Sequence, residues 1–188
     1  MTEKAKVLLS YPGGLFDEEG APTWPWTCVR TRPRWEKRFS RWLVAHDLPH
    51  FLPLIEHSSR SHRKVHHTEV PLFPGYVFVR GLHGKQRFAN SDCVVRLLLP
   101  AEGHEAHRLA EDILAIHTLL AAGTHPALLE KEWEPGQRVH ILAGPLMGVT
   151  GQFLRKGDKG QLVVWVDLLG VGAAVNLDPD IPMEPADD

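Results

Sequence analysis

Apolar residues at Trp35, Phe39, Trp42 and Leu43 recur at i, i+4, i+7 and i+8, the spacing of one helical face. Arg34, Lys37, Arg38 and Arg41 fall off that stripe, so the same helix carries a basic side. Pro33 suits its first turn and Pro49 closes it. The aromatics share the apolar side and read as core. Before the helix, Trp26 to Thr31 is rich in β-formers and reads as a strand. Phe51 to Ile55 and Val70 to Val79 read as the next two strands, with His57 to His67 between them as a polar hairpin tip or loop. Pro71 and Pro74 cannot donate to a ladder, so the third strand begins at an edge or carries a bulge. Gly75 lets its backbone turn or approach a neighbour. Arg87 to Ser91 reads as a short helix and Val94 to Leu99 as the last strand. The order strand-helix-strand-strand-helix-strand predicts a split βαβ sheet with helices on one face. Gly103 to Ala122 then reads as a longer helix with Leu109, Ile113, Ile116 and Leu120 on one side.

The texture changes beyond residue 134. Gln137 to Ala143, Val149 to Arg155, Gln161 to Leu169 and Ala173 to Leu177 are short β-rich runs separated by turn signals, with Gly157-Asp158-Lys159-Gly160 as a hairpin turn. This pattern predicts a small five-stranded barrel, its core drawn from Val139, Ile141, Val149, Gly151, Phe153, Leu162, Val164 and Val166. The fold class is therefore α+β: an N-terminal α/β sandwich followed by a small β-barrel. Residues 1–22 read as a flexible arm, 23–122 as the first domain, 123–134 as a linker, 135–184 as the second domain and 185–188 as an acidic tail.

Charge sharpens this division. The net charge is −2, yet nine basic and three acidic residues lie between Arg30 and Lys64. Such asymmetry points one face at something anionic. Residues 135–188 carry four basic and seven acidic residues, the wrong sign for a phosphate-binding barrel, so protein recognition suits this half better. Cys28 and Cys93 form no CxxC pair and sit in apolar runs, where buried thiols are common; neither a thiolate metal site nor a disulfide is expected. His57, His62, His66 and His67 cluster in a polar loop without metal-ligand spacing. No nucleotide-loop, dinucleotide or serine-hydrolase motif occurs, so neither catalysis nor a cofactor is expected. No apolar run reaches bilayer length, and the N-terminus lacks a secretory pattern, which points to a cytoplasmic protein.

Three segments carry a family resemblance. Trp26-Thr27-Cys28-Val29-Arg30-Thr31-Arg32-Pro33-Arg34-Trp35-Glu36 and Phe73-Pro74-Gly75-Tyr76-Val77-Phe78-Val79 resemble the N-terminal (NGN) domain of the NusG family of transcription elongation factors. Pro135 to Ile141, Gly144 to Gly151, and Asp167-Leu168-Leu169-Gly170 running into Val175-Asn176-Leu177-Asp178 resemble an SH3-like KOW barrel. A KOW motif alone also occurs in ribosomal and RNA-binding proteins, which is the alternative reading; the two signals in this order are far more specific.

The resemblance implies a monomeric, non-enzymatic factor that docks on bacterial RNA polymerase through the clamp helices of the largest subunit and bridges the DNA cleft. It makes Phe73 the docking aromatic, with Trp26, Pro74 and Tyr76 around it. Arg34, Lys37, Arg38, Arg41, Lys85 and Arg87 would lie near non-template DNA. Leu168, Leu169 and Gly170 would form the barrel loop that meets Rho or a small-subunit ribosomal protein. Two departures, Asn90 to Val95 in place of a Pro-Gly-Val segment and Val171 where a basic residue is common, lean toward a specialised paralogue of the RfaH or capsule-operon type. The β-branched runs and Gly-rich turns favour a barrel over a helical hairpin in the second domain.

Overall fold

The computed structural model describes residues 9–17, 25–61, 64–81, 83–101, 103–130, 137–156, 159–178 and 181–186. Parts of the expected arm, linker, Gly157-Asp158 turn and tail, together with His62, Pro135 and Gly136, lie outside these residues. Clustering of the chain gives two compact units, residues 1–111 and 112–188.

In the first unit, strands β1 (Leu9–Tyr11), β2 (Trp26–Thr31), β3 (His50–Leu52), β6 (Tyr76–Arg80) and β7 (Val94–Leu98) form one sheet in the order β1-β3-β6-β2-β7. All its pairings are antiparallel. The order β3-β6-β2-β7 is that of a split βαβ unit, and β1 extends it beyond β3. Helix α1 (Glu36–Ala45) covers one face. Its residues Phe39 and Leu43 pack with Val29, Val77, Val79, Leu52, Leu54 and Phe88 in a single core, against which Trp35 and Trp42 are half-buried. The expected stripe thus faces the sheet, with two of its aromatics at the rim. The helix starts at Glu36 rather than Pro33 because Arg34 takes a left-handed φ of 65°, which interrupts helical geometry.

One N-terminal expectation needs correction, and two are sharpened by the structure. Residues Leu9–Asp17 are folded, not a flexible arm: β1 pairs with β3, Leu15 is buried, and Phe16 stacks on Trp26. The segment read as a polar hairpin tip or loop is a hairpin whose arms, β4 (Leu54–Ser61) and β5 (Lys64–Pro71), form a second sheet. The strand expected over Val70 to Val79, broken by Pro71 and Pro74, is two strands, β5 ending at Pro71 and β6 starting at Tyr76. The two prolines and Gly75, at φ 86°, end β5 and turn the chain into β6.

Helix α2 (His104–Ala121) contains the boundary between the units. In the second unit, β8 (Ala127–Glu130), β9 (Gln137–Ile141), β10 (Thr150–Lys156), β11 (Lys159–Val166), β12 (Val171–Leu177) and β13 (Met183–Pro185) form a sheet in the order β13-β9-β10-β11-β12-β8. Strand β8 lies inside the stretch read as linker: Ala127-Leu128-Leu129-Glu130 finds an edge on β12. Among the described residues this sheet therefore has six strands, against the expected five. Val139, Ile141, Val149, Leu162, Val164 and Val166 are buried as the alternation predicts, and Val163 joins them.

Candidate functional site

The turn Leu72–Tyr76 is held from two sides. Gly75 N–H donates to Glu36 Oε1 at 2.6 Å, and Gly75 C=O accepts from Thr31 N–H at 2.8 Å. Tyr76 N–H donates to the Phe73 carbonyl at 3.1 Å, closing the turn. Helix α1 and strand β2 thereby fix the backbone that displays Pro74, which is exposed, and Tyr76, which is half-buried. The Arg30 guanidinium lies 6.0 Å from the Tyr76 ring centroid, within the range of a cation–π contact.

Phe73 and Trp26, expected as surface anchors, are 1% and 0% exposed. Phe73 meets Phe78 edge-on at 5.9 Å, and Phe78 stacks with Phe51 at 6.4 Å. Phe16 packs against Phe51 at 5.1 Å and Trp26 at 5.9 Å. Trp26 and Phe73 are thus the ends of one buried aromatic series on the sheet face opposite α1. Their apolar rings have neighbours enough to close the face without a partner. Of the four expected docking residues, Pro74 and Tyr76 reach the surface.

The basic residues on and beside α1 separate into two kinds. Arg34, Arg38 and Arg41 are exposed, as is Arg87 on the 3-10 turn Lys85–Ser91; the Lys85 side chain lies outside the described residues. Arg38 stacks over Trp35 at 4.2 Å and Arg32 over the same ring at 5.1 Å. Lys37 differs: its Nζ donates to the Glu69 carbonyl of β5 at 2.7 Å.

Beneath α1, Ser40 Oγ and His50 Nε2 are 2.6 Å apart, and His50 Nδ1 is 3.0 Å from the Leu48 carbonyl. The carbonyl only accepts, so Nδ1 carries the proton and Nε2 accepts from Ser40. Burial lowers the His50 pKa, opposed by the Leu48 hydrogen bond. Both residues are buried, which makes the pair a structural link between α1 and β3 rather than an exposed nucleophile and base. Cys28 and Cys93 are buried free thiols, and burial raises the pKa of each. Among the described residues, no three His, Cys, Asp or Glu side chains gather as metal ligands, and no helix is long and apolar enough to cross a membrane.

In the second unit, Leu168 and Leu169 lie on the 3-10 turn Asp167–Leu169 between β11 and β12, and both are half-buried. Gly170 closes the turn at φ 66°, its N–H shared between the Val166 and Asp167 carbonyls, each at 3.1 Å.

The family model NusG, described as transcription termination factor nusG, matches residues 25–113. Residues 25–113 thus form a NusG-family domain. The matched stretch starts beside β2 and takes in α1, the Leu72–Tyr76 turn and β7. NusG-family proteins are non-enzymatic transcription factors, and this one is an elongation or antitermination factor in that general sense. A solved structure of Thermotoga maritima NusG, described under domain interaction, aligns over 89% of this chain and 100% of that one, at 17% identity and a TM-score of 0.43. No curated protein matches the chain.

Two features of this NusG-family domain escaped the sequence reading. The Glu36–Gly75 link joins the two N-terminal signature segments, but nothing in residue spacing shows that a helix carboxylate caps a distant turn. The Ser40–His50 pair is hinted at only by a polar residue one turn from Glu36 and Leu43 on the buried side of α1.

Proposed function

We propose that the chain binds bacterial RNA polymerase across its DNA cleft, changes pausing and termination, and recruits a second protein through its C-terminal unit. The observation that carries this reading is the family match over residues 25–113. Its span coincides with the sheet and helix that present Pro74 and Tyr76. A half-exposed tyrosine beside an exposed proline, on a turn fixed from both sides, suits a preorganised anchor for the clamp helices of the largest subunit. Phe73, buried within the same turn, supports that anchor from beneath. No bond is made or broken; the factor acts by binding the closed, active polymerase better than the open one, which moves the equilibrium.

Arg34, Arg38, Arg41 and Arg87, with Lys85, offer positive charge to non-template DNA, whereas Lys37 is engaged by Glu69. In the second unit the net charge of −3 over residues 135–188 favours a protein partner over a nucleic acid, with Leu168, Leu169 and Gly170 as the contact. Rho and a small-subunit ribosomal protein are the two candidates. The polymerase-binding domain spans 23–122 and the KOW domain 135–184, in a cytoplasmic monomer of the specialised paralogue type.

The test is single-round transcription by bacterial RNA polymerase on a template with mapped pauses. The wild-type protein is expected to change pause lifetimes, and Tyr76→Ala to abolish that change while leaving the fold intact. Equal activity of wild type and variant would remove Tyr76 from the docking surface.

A further inference from the structure

We infer that residues Leu9–Asp17 are a built-in cover for the aromatic face of the first unit, and that polymerase docking displaces them. This rests on the docking reading above and adds its regulation. The cover consists of β1, at the sheet edge, and a turn closed by Leu15 N–H to the Pro12 carbonyl at 3.0 Å and Asp17 N–H to the Gly14 carbonyl at 2.9 Å. That turn delivers two apolar side chains: Leu15, fully buried, and Phe16, laid on Trp26 and Phe51. From those rings the aromatic series runs through Phe78 to Phe73, next to the turn that displays Pro74 and Tyr76. Lifting the cover therefore uncovers Trp26 and Phe51 and enlarges the apolar surface beside Tyr76, the kind of contiguous patch that marks a protein-binding site.

Two further observations favour opening. The attachment is slight. Among the described residues, strand β1 has three residues and one neighbouring strand, and its outer end is tied by Tyr11 Oη donating to Asp47 Oδ1 at 2.6 Å in an exposed position, with Tyr11 stacked on His50 at 6.1 Å. Short edge elements of this kind open at the low end of a protein's stability range. The closed state also leaves a polar group poorly served: Trp26 Nε1 is buried and has no hydrogen-bond partner among the described residues. An orphaned buried donor costs free energy that is recovered when water or a partner's acceptor reaches it. The cover thus fits the apolar part of the face while leaving the indole N–H of Trp26 unserved among the described residues, as a displaceable occupant does.

If docking needs the open form, the apparent dissociation constant is the intrinsic one divided by the open fraction, and any change that loosens the cover tightens binding. The experiment measures full-chain affinity for RNA polymerase with wild type, Tyr11→Phe, Asp47→Ala and Leu15→Ala, none of which alters a proposed contact residue. Amide exchange at β2 and β6 checks that each variant is folded. Tyr11→Phe and Asp47→Ala are expected to bind roughly two- to tenfold more tightly, the equivalent of one hydrogen bond, and Leu15→Ala more tightly still. On adding polymerase to wild type, the Leu15 and Asp17 amides are expected to lose protection while β2 and β6 keep theirs. Unchanged or weaker binding by the folded variants, or greater protection of the cover in the complex, overturns the proposal and leaves docking standing. If wild type and all variants fail to bind polymerase, the docking reading falls and the cover's regulatory role falls with it.

Discussion

The Glu36 carboxylate accepts the backbone N–H of Gly75 at 2.6 Å, so the first residue of α1 fixes the turn that precedes β6. Glu36 is only 5% exposed, and a charge-assisted hydrogen bond in such a place contributes about 1.5–3 kcal/mol. Glu36→Ala removes the acceptor and leaves the Gly75 N–H unpaired; it is expected to destabilise the first unit by about 2–3 kcal/mol. Glu36→Gln keeps an oxygen acceptor and should cost less. Gly75→Ala meets no atom within 4 Å but must hold φ at 86°, a cost of about 1–2 kcal/mol from the backbone alone. Urea unfolding read from the exchange of β2 and β6 amides would measure all three, and a Glu36→Ala protein as stable as wild type would refute the link.

Acid should loosen the same unit through His50. Its folded pKa is below the ordinary 6.5 because burial disfavours the imidazolium. The unfolded chain therefore binds more protons between the lowered value and 6.5, and stability rises with pH across that window. The contribution is complete above about pH 6.5 and is lost as pH falls toward the folded pKa. Ser40 donates to Nε2, so protonating that nitrogen reverses the bond, with Nε2–H donating to the Ser40 oxygen, and the desolvation of the imidazolium remains as the cost. A His50→Gln variant is expected to show a shallower loss of stability between pH 7 and pH 5 in matched denaturant titrations. An unchanged slope would assign the acid sensitivity to other groups.

The sequence reading succeeded where one period dominates. The α1 stripe identifies a buried face because the helix has one apolar and one basic side, and the alternation Leu162, Val164, Val166 identifies one buried face of β11, although Val163 on the other face is buried too. It failed where that contrast is absent. Strands β4 and β5 pair Glu56 with Glu69, His57 with Thr68 and Ser58 with His67, so both faces are polar over that stretch and no period-2 signal survives. Strand β8 is too short to show a period and exists because β12 offers an edge. Trp26 and Phe73 were read as surface groups because a motif states residue types and not their cover; the cover comes from Phe16, ten residues before Trp26 and on no recognisable motif.

The second unit has its own packing constraint at Gly172. A Cβ there would lie 2.8 Å from Trp165 Cε3 and 2.8 Å from Val163 Cγ1. Trp165 pairs directly with Gly172 and is held by its Nε1 donating to Gln152 Oε1 at 2.7 Å, so the ring cannot shift without straining or breaking that bond. Gly172→Ala is expected to cost about 1–3 kcal/mol, the range for overpacking. Thermal unfolding followed by amide exchange in β11 and β12 would detect it. Full stability in the variant would mean that the Trp165 ring moves at no cost.

Arg38 and Lys37 are adjacent on α1 yet should differ in their effect on nucleic-acid binding. Arg38 is exposed and stacked on Trp35 at 4.2 Å. Stacking occupies the face of a guanidinium and leaves its N–H edge for phosphate oxygens. Lys37 spends its ammonium on the Glu69 carbonyl at 2.7 Å, which ties α1 to β5 and keeps that charge away from a phosphate. If single-stranded DNA follows the basic side of α1, Arg38→Ala should weaken binding and reduce the slope of log affinity against log salt by about one. Lys37→Ala should leave the slope unchanged and instead loosen the hairpin of β4 and β5. Fluorescence titrations with an oligonucleotide at several salt concentrations separate the two residues. Equal slopes for wild type and Arg38→Ala would place the DNA elsewhere, and a reduced slope for Lys37→Ala would show that its bond to Glu69 yields to phosphate.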